Sequence, residues 1–273
     1  MNTPSHAQAA PALSPTGKEA VPLSDRLAYI EAARALMERM GVRLRTGTCF
    51  DTFASLCAAQ PARGTVNPSF DPREPEGARL SGLWLAGFDR DGTLVHTQAM
   101  RRVDLSGSTL GRHLRMQGDR YRIRGYDLDM RQARISLTAQ AEHLTGTVGY
   151  HGELWSLGGH AGLRGDGCLP ILSRLMLMET IVQLEPTHVF GFISPTNACR
   201  GLAARLGYMH LEQRSVVYPR LDGGAPLEGW MVWMSHAEID FNLRVEPEFF
   251  ARILGRSDTS QDGRVWEDVV PAA

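Results

Sequence analysis

The first regular pattern of apolar and polar positions lies near the start of the chain. Apolar residues recur there at intervals of three and four, at Leu27, Ile30, Ala33, Met37 and Met40. This spacing places them on one face of a helix, which Ser24 is suited to cap and Gly41 to end. Residues 1–22 have no apolar period and are rich in Ala, Pro, Ser and Thr. We expect them to form a disordered tail, because they cannot bury enough apolar surface to offset the entropy of ordering.

The next segments predict strands of a sheet. Residues 42–48 alternate like a short strand, and residues 50–59 form a short helical pattern. Residues 80–88 and 93–103 are apolar and β-prone, with the turn signal DRDG between them at 89–92. This arrangement predicts an antiparallel hairpin.

The middle of the chain has no clean period. Residues 104–134 mix arginines with glycines and receive no assignment. Residues 133–141 are compatible with a short strand or a short helix.

The clearest succession of elements begins at residue 147. Residues 147–157 predict a strand, residues 158–167 a glycine-rich turn and residues 168–184 an amphipathic helix, in which Pro170 is acceptable in the first turn. Glycines permit close approach, and the first amides of a helix point unpaired donors outward. This junction therefore favours an anion such as a pyrophosphate.

Further elements follow the glycine-rich turn. Residues 188–194 predict a strand, residues 196–208 a helix, and residues 208–218 with 229–234 an antiparallel hairpin. A last helix is expected near residues 247–254.

Two nucleotide-binding motifs are excluded at the turn. A Walker A loop needs Lys and Ser or Thr after its last glycine, whereas Cys168 and Leu169 follow Gly167. The GxGxxG fingerprint of dinucleotide-binding folds is also missing from this segment.

Composition narrows the class of protein. The 273 residues carry 29 Lys plus Arg against 30 Asp plus Glu, so no net charge attracts nucleic acid or an anionic membrane. Lys18 is the only lysine, a skew towards arginine that is typical of GC-rich bacterial genomes. Four cysteines without a CxxC spacing indicate a reducing cytoplasm. We expect a cytoplasmic protein, since the sequence shows neither a signal peptide nor an apolar stretch of about 18 residues.

The second half of the chain resembles the GNAT acetyltransferase family. Residues 153–160, ELWSLGGH, are similar to the family's fourth strand, and residues 164–169, RGDGCL, to its acyl-CoA loop, except that Leu169 replaces a small residue. Residues 188–194 resemble the fifth strand, and residues 196–208 the helix that ends in Leu, Gly and Phe or Tyr. The order of these motifs is more specific than any one of them.

The resemblance implies an α/β fold with a GNAT-like mixed, mostly antiparallel twisted sheet flanked by helices and preceded by an N-terminal extension. It implies one domain at 23–240 with core motifs at 147–235, followed by a helix and tail at 241–273. The implied activity is N-acyl transfer from acyl-CoA or acyl carrier protein to a small amine or amino acid. The amine attacks the thioester directly, in a site between the splayed fourth and fifth strands, and no metal is required.

The resemblance also implies the residues that hold the donor. The backbones of Leu157 and Gly159 would bind pantetheine, and Arg164, Gly165 and Gly167 would bind the pyrophosphate. The complete set is Leu157, Gly158, Gly159, Arg164, Gly165, Asp166, Gly167, Cys168 and Asn197. Asn197 is alternatively the N-cap of its helix.

Candidate catalytic residues are Glu153 as base and Tyr208 as acid. Strand alternation predicts that Glu153 shares a face with Trp155 and Leu157, although an exposed or arginine-paired carboxylate is an equal alternative. His160 is a weaker candidate base. The family's usual tyrosine acid corresponds to Ala203, which leaves Tyr208, Tyr150 or water, and Tyr208 can instead be a packed aromatic residue.

Seven arginines cluster at 112–134, namely Arg112, Arg115, Arg120, Arg122, Arg124, Arg131 and Arg134. A solvated surface interleaved with acidic residues is the favoured interpretation, and a docking patch for acyl carrier protein is the alternative. A homodimer is left open. Two other hypotheses remain: a degenerate domain that binds a thioester or a protein without turnover, and an unrelated α/β protein, which would lack a split between the strands at 147–157 and 188–194.

Overall fold

The computed structural model describes residues 21–74, 80–158 and 168–245. The described residues form one eight-stranded sheet, in the order β1-β2-β3-β5-β6-β8-β7-β4. The strands are β1 (Arg43–Gly47), β2 (Gly82–Phe88), β3 (Leu94–Asp104), β4 (Arg134–Ile135), β5 (Thr147–Ser156), β6 (His188–Ile193), β7 (His210–Tyr218) and β8 (Leu227–Ser235). Within this sheet, β5 and β6 are parallel and the other neighbouring pairs are antiparallel. The predicted fold class is confirmed.

Helices cover both faces of the sheet. They are α1 (Leu23–Arg39), α2 (Phe50–Ala58), α3 (Leu110–Gln117), α4 (Ala139–Glu142), α5 (Cys168–Leu184), α6 (Pro195–Cys199), α7 (Leu202–Arg205) and α8 (His236–Val245). The predicted tail is described only at its last two residues, and the helix expected at 247–254 lies outside the described residues. The helix α8 was not predicted.

Two apolar cores lie on opposite faces, which we call the helix side and the turn side. The helix side is formed by α1 and α5 against the sheet, and α5 carries completely buried residues such as Leu175, Met176 and Ile181. Each such side chain stabilises the fold by roughly 1.5–3 kcal/mol. The turn side contains α2, a 3₁₀ turn at Pro68–Phe70 and α3, with an aromatic layer in its centre.

The start of α1 differs slightly from the prediction. The helix begins at Leu23 behind Pro22, and Ser24 lies inside its first turn instead of capping it. The Ser24 hydroxyl contacts Asp25. The predicted hairpin of β2 and β3 is confirmed, and β1 adds antiparallel to β2.

The unassigned stretch at 104–134 contains α3, which Thr109 caps by accepting a hydrogen bond from the amide of Arg112. The strand β4 follows this stretch and pairs with β7 at the far edge of the sheet. The short strand or helix expected at 133–141 is both of these in turn, since β4 is followed by α4. Local periodicity could not give the pairing of β4, because its partner lies more than 80 residues later in the chain.

The helix predicted at 196–208 is broken into α6 and α7. Gly201 separates them in the left-handed region, with φ of 72°, a conformation that glycine adopts readily. Ser194 caps α6 by accepting from the amide of Asn197. Asn197 is therefore not the N-cap, and its side chain is exposed.

Candidate functional site

The strands β5 and β6 separate part of the way along their length. They are in register from Val148 opposite His188 to His151 opposite Gly191. Beyond this point β5 continues to Ser156 along β3, and β6 continues to Ile193 along β8. The described residues therefore contain the split that an unrelated α/β protein would lack, and that hypothesis loses its support.

The last paired position is tightly packed. A Cβ atom on Gly191 would lie 2.7 Å from the carbonyl oxygen of His151, a distance that real Cβ contacts essentially never reach. Glycine is thus required where the two backbones meet before they diverge.

A β-bulge bends β5 immediately after this point. The register between β3 and β5 shifts between Thr97 and Ala99, and Glu153 has φ of 59°. A non-glycine residue in this region costs roughly 1–2 kcal/mol. The Thr97 hydroxyl stabilises the bulge by donating to the Glu153 carbonyl at 2.8 Å.

The Glu153 side chain is buried on the turn side, with 4% of its surface exposed. Arg63 forms an ion pair with it, and the amide of Asn67 donates to its second oxygen at 2.8 Å. Trp155 packs on this same side, whereas Leu157 packs against the core on the helix side. The expectation that Leu157 shares this face is wrong because β5 ends at Ser156, so the alternation of the strand does not extend to Leu157.

On the helix side, a hydrogen-bond chain starts at the last paired residue of β5. His151 Nδ1 lies 2.9 Å from the Tyr208 hydroxyl, and Nε2 lies 3.1 Å from Gln98 Oε1. Gln98 Nε2 donates to the carbonyl oxygen of Leu172 at 2.5 Å. Burial lowers the pKa of His151 to about 4 and raises that of Tyr208 well above its usual value, because it disfavours the charged form of each group.

A second buried histidine lies further along the split. His96 Nδ1 is 3.0 Å from the Ser156 hydroxyl, and its Nε2 has no hydrogen-bond partner among the described residues. Burial, followed by the nearby His151, lowers the pKa of His96 to about 3. Both histidines are neutral at physiological pH.

The predicted pantetheine contact at Leu157 stays a prediction, but the peptide N–H of Leu157 is engaged within the sheet. Its N–H donates to the Val95 carbonyl of β3 at 2.8 Å, so this group is directed away from the split. Because backbone groups alternate in direction along a strand, the peptide N–H of the preceding residue, Ser156, points towards the side that β6 has left.

Most of the predicted donor loop lies outside the described residues, namely Gly159, Arg164, Gly165, Asp166 and Gly167, together with His160. Gly158 is described and exposed at the end of the β5 segment. Cys168 opens α5 with its side chain completely buried against Met40, so only its backbone can contribute to a site there.

The remaining candidates are divided between the surface and the interior. Ala203 is buried in α7, and Asn197 is exposed on α6. Tyr150 lies in the aromatic layer of the turn side, where its ring stacks on Phe70 at 5.3 Å, and burial raises its pKa well above the usual value.

Several residues that contribute to this geometry were not predicted, among them Arg63, Gln98 and His151. His151 has a local signal, since it precedes Glu153 by two residues in the predicted strand at 147–157. Arg63 and Gln98 carry no local signal. They approach β5 from positions 90 and 53 residues away from their partners.

The arginine cluster at 112–134 is partly neutralised by acidic side chains. Arg115 pairs with Glu142, Arg122 with Glu74 and Arg124 with Asp71. Arg112, Arg131 and Arg134 are exposed. This pattern favours a solvated surface, although the three exposed arginines are available to an acidic partner.

A cavity of about 270 Å³ lies on the turn side. Its lining carries both charges, with Arg101, Arg120, Asp71 and Asp119 among the residues. Arg101, which lines the cavity, is opposite Tyr150 in the register of β3 and β5.

Among the described residues, none of the helices is long and apolar enough to cross a membrane. The same residues contain no group of three or more His, Cys, Asp or Glu side chains that could hold a metal ion.

Similarity to known proteins is confined to solved structures. No protein-family model and no curated protein matches the chain. The aminoglycoside acetyltransferase AAC(6')-Ib, solved with coenzyme A and kanamycin, is 14% identical over 73% of this chain and 98% of that one, with a TM-score of 0.38. Arabidopsis thaliana NAA60 in complex with acetyl-CoA is 10% identical over 72% and 99%, with a TM-score of 0.39.

A candidate ribosomal-protein-serine acetyltransferase from Vibrio cholerae is 14% identical, with a TM-score of 0.30. The match covers 56% of this chain and 63% of that one. These three proteins are GNAT acetyltransferases, members of the family that the sequence motifs resemble. At such low identities and TM-scores the likeness says nothing about substrates, and the fold class rests on the chain's own sheet.

Proposed function

We propose that this protein is a GNAT-like acyltransferase that moves an acyl group from a phosphopantetheine thioester to a small amine or amino acid. The observation that carries the proposal is the split between β5 and β6, which opens after His151 and Gly191. The sequence places the glycine-rich segment 158–167 and the 17-residue helix α5 directly after β5.

The split suits an extended ligand. Where β6 diverges, the edge of β5 presents backbone groups that have no strand partner among the described residues. An extended arm with amide groups can bind such an edge as an added strand. The pantetheine arm has this chemistry. The start of α5 suits the pyrophosphate, because free amides and the helix dipole favour an anion there.

The reaction requires one bond to form and one to break. The amine nitrogen attacks the thioester carbonyl carbon, the C–S bond breaks, and the products are an amide and a free thiol. Backbone amides of β5 beside the bulge would stabilise the developing oxyanion. Glu153 would accept the amine's proton through a water molecule, because its carboxylate offers about four acceptor positions and Arg63 and Asn67 occupy two of them.

The acceptor would approach from the turn side, where Glu153 lies. The cavity beside Arg101 has charges of both signs, which suits a zwitterionic small molecule. For the donor, both acyl-CoA and acyl carrier protein fit the split, and the exposed Arg112, Arg131 and Arg134 would contact the acidic surface of a carrier protein.

The test combines binding with turnover. Thermal-shift and native mass-spectrometry measurements with acetyl-CoA, a long-chain acyl-CoA and acyl carrier protein would identify the donor. Arg164→Glu should abolish binding of the preferred thioester, and Arg39→Glu on the exposed end of α1 is the matched charge-reversal control. Failure of all three donors to bind would refute the proposal.

Binding without catalysis is the second candidate function. Two observations favour it: Ala203 stands at the position of the family's usual tyrosine, and the oxygens of Glu153 are engaged by Arg63 and Asn67. Release of free thiol in the presence of a panel of amines separates the two functions. A thioester that binds but never releases thiol would support the binding domain.

A further inference from the structure

The orientation of the Gln98 side-chain amide determines where the hydrogens lie in the hydrogen bonds that link Gln98, His151 and Tyr208. The carbonyl oxygen of Leu172 can only accept a hydrogen bond, so the Gln98 atom at 2.5 Å from it must be the NH₂ group. The Gln98 oxygen then faces His151 Nε2 at 3.1 Å. Since that oxygen can only accept, Nε2 carries the hydrogen.

The tautomer of His151 in turn determines what Tyr208 does. Burial keeps His151 neutral, because it lowers the pKa of this residue to about 4. A neutral imidazole with hydrogen on Nε2 has a bare Nδ1. The Tyr208 hydroxyl at 2.9 Å must therefore donate its proton to Nδ1.

We propose that Gln98 and His151 are positioning residues that commit the Tyr208 proton to His151, so that the Tyr208 oxygen accepts a hydrogen bond from an amide of the pantetheine arm and does not protonate the leaving thiolate. The inference rests on the proposed function and gives Tyr208 a binding role in place of the acid role that was predicted for it. The position of these hydrogen bonds supports the proposal, since His151 is the last residue of β5 that pairs with β6 before the split.

The reaction needs no proton from a tyrosine, because the amine loses as many protons as the thiolate gains. The attacking amine becomes positively charged as the C–N bond forms, and it loses one proton. That proton passes through water to Glu153 and from there, again through water, to the thiolate released from the C–S bond. A buried phenol whose pKa is raised would be a far weaker acid than the thiol that it would have to create.

The first test is spectroscopic and needs no turnover. In ¹⁵N-labelled protein at neutral pH, the resonances of His151, assigned with His151→Gln, should show hydrogen on Nε2 and none on Nδ1. Gln98→Met, which keeps the side-chain volume but removes the amide, should abolish this preference. Hydrogen on Nδ1 in the wild type would overturn the proposal, even if the protein proves to have no acyltransferase activity.

The second test separates KM from kcat. Tyr208→Phe should raise the KM for the thioester about fivefold, the loss of one hydrogen bond, and leave kcat within about threefold. An acid role predicts the opposite, a fall in kcat of about 10²–10⁴-fold. Tyr218→Phe is the matched control, because its buried hydroxyl contacts the Tyr121 carbonyl at 3.4 Å, away from the chain of hydrogen bonds.

Each failure has its own meaning. A hundredfold loss of kcat in Tyr208→Phe with unchanged KM would overturn the positioning role while leaving the acyltransferase intact. If Tyr208→Phe does not fold, Gln98→Met takes its place in the kinetic test, where a rise in KM with unchanged kcat is again expected. A wild-type protein that binds no thioester would refute the proposed function. The ¹⁵N spectrum would still test the predicted tautomer of His151.

Discussion

The two sides of the sheet at the split bury different kinds of polar group, neutral hydrogen-bonded groups on the helix side and an ion pair on the turn side. On the helix side, His151 and Tyr208 are neutral groups held by hydrogen bonds, and neutral His96 keeps one hydrogen bond while its Nε2 has no partner among the described residues. On the turn side, Glu153 and Arg63 are a buried pair of opposite charges. A neutral chain costs little to bury when each member is bonded, whereas each charge of an ion pair depends on its partner. The turn side should therefore be the more sensitive to single substitutions, and the helix side the more sensitive to pH.

Removal of Arg63 should have the largest effect. Arg63→Met leaves the Glu153 carboxylate buried without its cation, and it should lower the free energy of unfolding by about 3–5 kcal/mol. Urea denaturation measures this, with Arg39→Met on the exposed surface of α1 as the control. The double variant Arg63→Met/Glu153→Gln should recover part of the loss. A single variant as stable as the wild type would show that the pair is not buried in solution.

Lowering the pH should reduce the stability of the fold through the two buried histidines of the helix side. The pKa values of His96 and His151 in the folded protein are about 3 and about 4, below the ordinary 6.5. At pH values between the folded and the ordinary pKa, the unfolded chain therefore binds more protons than the folded protein. Stability is therefore complete above pH 6.5 and falls as the pH decreases towards 4, by up to about 3 kcal/mol for His151 alone.

His96→Asn isolates one histidine in this pH dependence. Between pH 6 and 4 its unfolding free energy should fall with pH less steeply than that of the wild type, by about 1.4 kcal/mol per pH unit, the slope that one proton contributes. Ser156→Ala removes a hydrogen bond of His96 but leaves the histidine in place, so its slope should remain that of the wild type. Equal slopes in His96→Asn and wild type would contradict burial of a neutral His96.

A methyl group at the end of the parallel pairing should have an intermediate effect. Gly191→Ala places a Cβ atom 2.7 Å from the His151 carbonyl oxygen, which forces β5 and β6 apart and should cost about 1–3 kcal/mol. Gly118→Ala is the control, because a methyl group on Gly118 would have no heavy atom within 4 Å among its described neighbours. Thermal unfolding measures both, and an unchanged midpoint in Gly191→Ala would contradict the tight contact at the split.

Loss of the Thr97 hydroxyl should have the smallest effect. It accepts from Arg63 Nε at 3.0 Å and donates to the Glu153 carbonyl at 2.8 Å. Thr97→Val keeps the shape and should cost about 1–2 kcal/mol in the free energy of unfolding, measured in urea. The same substitution at Thr65, whose hydroxyl accepts from Arg124 in an exposed contact, is the matched control and should cost less.

The comparison of the two sides also shows where sequence analysis succeeds. Elements whose signals are local were predicted within one or two residues, such as β2, β3, β5 and α5. The segment 196–208 was predicted as one helix because its composition is helical, and Gly201 breaks it. Whether a single glycine breaks a helix depends on tertiary packing, which local periodicity does not report.

The candidate site was less predictable than the fold. Glu153 and Tyr208 could be singled out from motifs, but their partners could not. Arg63 reaches Glu153 from a loop 90 residues earlier, and the contact makes the carboxylate half of an ion pair. In the same way, Gln98 decides the protons of Tyr208 through His151, although no motif links the three residues.

By itself the sequence determined the succession of strands and helices, the glycine-rich junction before α5 and the balance of charge. These features depend on the preferences of neighbouring residues and on short-range periodicity, which each segment carries with it. Only the tertiary structure decided where β5 and β6 part, which oxygens Glu153 has left to offer, and which way the Tyr208 proton points. Those properties depend on burial and on contacts between residues that are far apart in the chain, where a desolvated polar group takes its role from the partner that it meets.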